Sequence, residues 1–387
     1  MNILVMTGIR SDYDILYPVL KKLEINKHQV MISVSGAHLS NYHSNTYQKI
    51  KSDGFKIVEK IDSLLSTDRI VQRAKGVGIL IQGLAQTVER TDPDVLLVLG
   101  DREESIATAI VGNYMNKLVI HLAGGDTVYG NADDSVRFAV SKLAHVHCCF
   151  SKESAKNLAN IGEEDFRIFF TGNPALTNID NIPLIPKDEV LKRVGLSNSN
   201  YIVMIKHPLS SELDQTYNHI SITLKALKSF CKKNNFQSIC IYPNSDPGSF
   251  DIKKALSQYR NEDWFIETNT LNRKLFINLI RNARALIGNS SMGILEAPHY
   301  NLPVVNIGNR QKGRLNAGNV EFVDYNKNQI EEAITKASLN DKYREKVLTL
   351  SNPYGDGSAA KKVCEVIESI KLEDKKWLVK KESFLNE

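Results

Sequence analysis

Strand-length apolar runs alternate with helix-length periodic segments along most of the chain, and this rhythm restricts the fold more than any single residue. In the first half the runs are Ile3–Thr7, Gln29–Ser35, Val95–Leu99, Leu118–Leu122, Val146–Phe150 and Arg167–Thr171. Between them lie the helical segments Ile15–Leu23, Asp68–Arg90, Glu104–Asn116, Asp133–Ala144 and Lys152–Ile161. Continuous apolar strands separated by helices imply a parallel sheet covered on both faces. Pro174, Pro183 and Pro186 interrupt the rhythm and mark residues 174–200 as a linker. Alternation then resumes with Ile202–Ile205, Ser238–Tyr242, Trp264–Glu267, Ala285–Ile287 and Val304–Ile307, joined by helices including Ser221–Lys232 and Lys274–Arg281. The expected class is therefore α/β, with two Rossmann-like doubly wound domains facing across a cleft. The first spans 1–173 and the second 201–358, with 359–387 a helical tail expected to pack back on the first.

Charge and cysteine content narrow the function. Forty-nine basic and 44 acidic residues leave a net charge of +5 spread over 387 residues. No basic stripe interleaves with aromatics, so neither nucleic acid nor an anionic membrane is an expected partner. No apolar stretch approaches the ~20 residues of a bilayer helix, and the opening Ile3–Met6 run lacks the charged and cleavable flanks of a signal peptide. Five cysteines form no CxxC pair, and Cys148–Cys149 sits inside an apolar run where small buried residues fit. A cytoplasmic location is expected.

In open α/β sheets ligands bind beyond the carboxyl ends of the strands. Those positions hold Gly8–Tyr13, Gly36 with His38, Gly100-Asp101-Arg102, Gly124-Gly125-Asp126, Lys206-His207-Pro208, Pro243-Asn244, Gly288–Gly293 and Gly308-Asn309-Arg310. Glycines there let a backbone approach a ligand, and the Arg, Asp, His and Ser side chains supply charge and hydrogen bonds. Gly288–Gly293 ends a strand and, with Ser290 and Ser291, opens a helix near Met292, an arrangement suited to a diphosphate. Arg10, Arg102 and Arg310 add charge-assisted contacts, and Glu296 is placed to accept from ribose hydroxyls. Gly76-Val77-Gly78 lies within a helical pattern and is no dinucleotide fingerprint; no Walker lysine or G-x-S-x-G elbow is present.

Acid–base candidates share these strand ends. Asp101 is flanked by Gly100 and a cation, and His207 follows a strand with Pro208 fixing the turn. His38, after Gly36, ranks second. Asp133 and Asp134 also read as the acidic first turn of a helix.

Arg10-Ser11-Asp12-Tyr13, Gly36-Ala37-His38-Leu39, Gly100-Asp101-Arg102, Gly124-Gly125-Asp126, Asp133–Arg137, His207-Pro208, Gly288–Ser291, Gly308–Gln311 and Tyr354–Gly357, in this order, resemble the hydrolysing UDP-N-acetylglucosamine 2-epimerases of sialic-acid and related nonulosonate pathways. The resemblance runs over about residues 2–370. It implies the GT-B-like arrangement of many nucleotide-sugar glycosyltransferases. It also implies loss of the C2 proton and UDP to give a 2-acetamidoglycal, then hydration with inversion at C2. UDP-N-acetylglucosamine is the first-choice substrate and a UDP-2,4-diacetamido-trideoxyhexose the next. No metal or redox cofactor is required, and a homodimer or homotetramer is implied. Asp101 and Asp133 match acid–base carboxylates, and His207 a histidine near the diphosphate and sugar. Arg10, Ser290, Ser291, Glu296 and Arg310 match UDP-binding positions; Arg102 neighbours the reacting sugar and Asn244 helps hold the ligand. Where some relatives carry Glu and His, this chain has Ala123 and Phe138, which implies either a proton-transfer duty moved to Asp126 or a different sugar. The alternatives are a glycosyltransferase of the same architecture, lacking C2 exchange, and a non-catalytic nucleotide-sugar sensor.

Overall fold

Thirteen strands assemble two parallel sheets in the computed structural model, which describes residues 1–41, 45–65, 71–127, 132–177, 179, 182–243, 247–269 and 271–381, without the side chains of 132 and 133. In chain order the first seven are β1 (Asn2–Thr7), β2 (Gln29–Ser35), β3 (Lys56–Ile61), β4 (Val95–Leu99), β5 (Leu118–Leu122), β6 (Val146–Cys149) and β7 (Ile168–Phe170). They pair in the order β3-β2-β1-β4-β5-β6-β7. The remaining six are β8 (Tyr201–Ile205), β9 (Gln237–Ile241), β10 (Phe265–Thr268), β11 (Leu286–Gly288), β12 (Val304–Ile307) and β13 (Val320–Val323), ordered β10-β9-β8-β11-β12-β13. Both orders reverse direction once, between β1 and β4 in one sheet and between β8 and β11 in the other. Those reversals are the topological switch points at which doubly wound sheets open a crevice for ligand.

The chain forms two compact units. Unit 1 comprises Met1–Thr127, Ala132–Ile179 and Tyr354–Glu387; unit 2 contains Asp180–Pro353. Strands β1, β4 and β5 are almost wholly buried, as are β8 and β11, because helices cover both faces of each sheet. Segment 174–200, which its prolines mark as a linker, carries a helix, Lys187–Val194. Gly195 closes it in the left-handed conformation (φ 79°), and Val190, Leu191 and Val194 bury beside helix Arg273–Asn282. The expected helices Asp133–Ala144 and Glu104–Asn116 are present as Ala132–Leu143 and Glu103–Tyr114. No helix among the described residues is long and apolar enough to cross a membrane.

The chain's final segment completes unit 1. Helix Ala359–Ser369 packs on helix Arg10–Ile25, with Cys364 Sγ donating to Val19 O. Arg167, fully buried, donates to the carbonyls of His145, Lys376, Trp377 and Val379. Lys380 Nζ donates to Ser141, Lys142 and Ala144 carbonyls at 3.2, 2.9 and 2.7 Å, capping the C-terminal end of helix Ala132–Leu143. It also pairs with buried Glu163 at 2.6 Å, which lies 2.9 Å from His147 Nε2.

Burial pushes the Glu163 carboxyl up, but His147 and Lys380 outweigh it and hold it at about 2. A carboxyl depressed on folding stabilises above its unfolded value near 4.5, and that contribution fades as pH falls toward 2. Glu163→Gln should therefore flatten the acid limb of the stability curve between pH 4.5 and 2 by on the order of 3 kcal/mol. Urea unfolding at stepped pH measures it, and an unchanged limb removes the assignment.

Candidate functional site

At the switch point of unit 1, the loops after β1 and β4 bring charged side chains together. Arg10 begins helix Arg10–Ile25, with Nε 3.6 Å from Asp14. Arg102, at the N-cap of helix Glu103–Tyr114, places Nε 3.4 Å from Glu104 and 3.9 Å from Asp12, and Nη2 3.6 Å from Glu103. Asp101 accepts from Arg137 Nη2, and the same guanidinium donates through Nη1 to Ala123 O at 3.0 Å. Ala123 itself adopts a left-handed backbone (φ 62°), so this non-glycine residue holds a costly conformation beside the Asp101–Arg137 pair.

Burial, and then the carboxylates of Glu104, Asp101 and Glu103, hold the Asp12 carboxyl at about 8 against the opposing Arg102. The raised carboxyl favours its protonated form, the state a general acid requires. Local spacing does not reveal this, because the neighbours responsible lie about ninety residues away along the chain. His38 is fully buried, with Nε2 3.1 Å from Thr7 Oγ1 and Nδ1 2.7 Å from Thr46 Oγ1. Burial first, and then Arg102, lower its pKa to about 4. It ties β1 to the turn after β2, and both ring nitrogens are engaged in doing so.

Gly8 and Gly36 read in the sequence as places where backbone approaches a ligand. A Cβ on Gly8 would instead collide with the Glu104 carboxylate, which accepts from Ser35 Oγ at 3.0 Å. That glycine makes room for a buried carboxylate beneath the site. Asp126 is buried in the loop after β5. Asp133 lies in the first turn of helix Ala132–Leu143, but its side chain lies outside the described residues, as does Asn244 altogether.

Unit 2 builds its switch point around a residue not singled out in the sequence. Asn289 accepts the His207 N–H on Oδ1 at 2.7 Å and donates from Nδ2 to His207 O at 2.9 Å. Its own N–H donates to Ile205 O at 3.1 Å, and its carbonyl accepts from Arg310 Nη1 at 3.0 Å. One buried amide therefore fixes His207, the Gly288–Ser291 loop and Arg310 in a single frame. The helix opened by Ser291 is only Met292–Leu295, so Glu296 lies past its end, 3.6 Å from Arg273. Ser290 Oγ accepts from Met292 N at 3.4 Å, and the Ser291 hydroxyl does not cap the helix. Both serines are half-buried. Cationic, hydroxyl and amide groups around a strand end make a binding frame for an anion.

The UDP-N-acetylglucosamine 2-epimerase family model matches residues 21–368. The chain belongs to this family. It is 34% identical to the UDP-N,N'-diacetylbacillosamine 2-epimerase (hydrolyzing) of Legionella pneumophila, over 96% of each chain. It is 30% identical to the UDP-N-acetylglucosamine 2-epimerase of Neisseria meningitidis, over 88% of this chain and 89% of that one. The crystal structure of UDP-GlcNAc 2-epimerase from Neisseria meningitidis bound to UDP-GlcNAc superposes with a TM-score of 0.82, covering 96% of this chain and 100% of that chain at 20% identity. Two parallel-sheet α/β units of the GT-B-like kind are thus the fold of this UDP-sugar 2-epimerase family member; the sequence rhythm implied the two doubly wound units and the resemblance the GT-B-like arrangement.

Proposed function

We propose that this family member is a hydrolysing 2-epimerase acting on a UDP-2-acetamido sugar. A base takes the C2 proton as the C1–oxygen bond to UDP breaks, forming the 2-acetamidoglycal. Water then adds hydroxyl to C1, and a proton returns to C2 from the opposite face, releasing UDP and the free 2-epimeric sugar. Asp101, Asp133, Asp126 and His207 are the acid–base residues in this reading. Arg10, Arg102, Asn244, Ser290, Ser291, Glu296 and Arg310 hold the UDP-sugar, while His38 positions the turn beside Arg10. Stabilising the departing diphosphate is an electrostatic task suited to arginines and fixed donors.

The family match over residues 21–368 carries this reading. For the sugar, the diacetamido substrate moves ahead of UDP-N-acetylglucosamine, because the relative that is 34% identical bears that name. Proton NMR in D2O, with each UDP-sugar separately, tests both points. UDP release together with a free 2-epimeric sugar deuterated at C2 is the expected result. Binding without turnover or C2 exchange for either sugar refutes the enzyme reading.

Ser291→Ala offers a narrower check. Losing one hydrogen bond to a charged phosphate should weaken UDP about tenfold, near 1.5 kcal/mol, with kcat little changed. An unaltered UDP dissociation constant by calorimetry removes Ser291 from the binding group.

A further inference from the structure

Lys206 lies between β8 and His207, yet the proposed reaction gives it no task. Its side chain is buried, with Nζ 3.0 Å from Tyr325 Oη and 4.6 Å from the centre of that ring. Tyr325 is clamped in turn. Its ring stacks on His219 with centroids 3.5 Å apart and planes within 5°, and its hydroxyl lies against Gly308, where a Cβ would collide. His219 Nδ1 is 3.5 Å from Glu212 Oε2, and Glu212 Oε1 accepts from Asn309 Nδ2 at 2.7 Å. The ammonium is therefore packed beneath the Gly308–Arg310 turn, next to the strand end that Asn289 fixes.

The groups facing Lys206 come from four elements. Turn Ser210–Gln215 supplies Glu212 and, toward His219, Asp214; helix Thr216–Asn234 supplies His219. Turn Asn309–Gln311 supplies Arg310, and the segment after β13 supplies Tyr325. Among the described residues, Glu212 acts on Lys206 only from beyond ion-pair distance, and the hydrogen-bond partner of Nζ is a neutral hydroxyl. Burying a cation without a counter-ion is expensive, so burial favours the neutral amine. Burial, opposed by Glu212 and reinforced by Arg310, brings Lys206 down to about 7.

We propose that Lys206 is a further binding residue of the unit 2 nucleotide site, taking up a proton from solvent when a diphosphate supplies the missing negative charge. The inference rests on reading unit 2 as the UDP site and adds to it a linkage between UDP affinity and pH. A dianionic phosphate near Nζ reverses the balance that keeps the amine neutral, and proton and ligand then bind cooperatively.

Isothermal titration calorimetry of the full chain tests this with UDP and, separately, inorganic pyrophosphate, in buffers of differing ionisation enthalpy at pH 8. UDP is fully ionised there, so uptake reports the protein. Wild type should take up close to one proton per UDP, and its affinity should fall by at least tenfold between pH 7 and pH 8.5. Lys206→Met should abolish that uptake, bind UDP at least tenfold more weakly at pH 7, and lose the pH slope. Lys206→Gln, which keeps a hydrogen-bonding group for Tyr325, should behave as Met does and serves if the Met variant fails to fold. Uptake and pH slope unchanged in a folded variant overturn the inference while leaving the UDP site intact. If the wild type binds neither UDP nor pyrophosphate, the site reading falls, and the Lys206 inference with it.

Discussion

Asp101→Asn should cost between 10²- and 10⁴-fold in turnover while the UDP dissociation constant stays within about threefold. The substitution preserves size and removes charge at the unit 1 switch point, where Asp101 accepts from Arg137. Two consequences separate cleanly. In the proposed mechanism, proton transfer at C2 loses its carboxylate, so deuterium incorporation from D2O should fall in step with UDP release. The residues proposed to hold UDP in unit 2 are untouched. Arg137, 7% exposed at its side chain, loses a counter-ion, and the melting temperature should drop by several degrees, for a loss of about 1–2 kcal/mol. A folded variant that no longer binds UDP would make Asp101 a positioning residue and sink the acid–base role.

Gly288→Ala should be severely destabilising. At φ 129° the backbone already occupies a region closed to side chains, and the added Cβ would collide with the carbonyl oxygen and carbon of Ile205. Neither partner can yield, because Gly288 pairs with Ile205 in the β8–β11 register and Asn289 N–H donates to that same oxygen. The expected loss exceeds about 4 kcal/mol, seen as absent soluble protein or a collapsed thermal transition. Gly78→Ala is the control. It lies in helix Val71–Thr91 with open space around its Cβ position, and should be neutral or stabilising by up to about 1 kcal/mol. A Gly288→Ala protein as stable as that control would show that the β8–β11 crossing is far less tight than described.

The central strands were legible because burial on both faces leaves no polar alternation to obscure them: VLLVL at β4 and YIVMI at β8 can hardly be read otherwise. Of the four edge strands, β7 and β10 were legible and the other two were not. β3 (KIVEKI) and β13 (VEFV) carry charges on half-exposed positions, so neither registers as an apolar run. The same logic governs the candidate site. Strand-end positions can be picked from sequence because topology sends loops there, and Arg10, Asp101, Arg102 and His207 do follow β1, β4 and β8. Pairings across long separations cannot be picked. Asn289 meets His207 over 82 residues and Arg137 meets Asp101 over 36. Nor does sequence distinguish a glycine that admits a ligand from Gly8, which admits Glu104.

Unit 1 is assembled from both ends of the chain, and this sets an order on its birth. Its first 179 residues leave the ribosome with Arg167 made, but the carbonyls of Lys376, Trp377 and Val379 that satisfy that guanidinium come about two hundred residues later. At about 5–20 residues per second that interval is roughly 10–40 s. All of β8 to β13 emerges within it, so the second sheet is complete while the first still awaits its closing segment. A nascent chain stalled before Lys376 should therefore present a protease-resistant unit 2 beside a susceptible unit 1, and the emergence of Lys380 decides when helix Ala132–Leu143, which carries Arg137, is finally held in place.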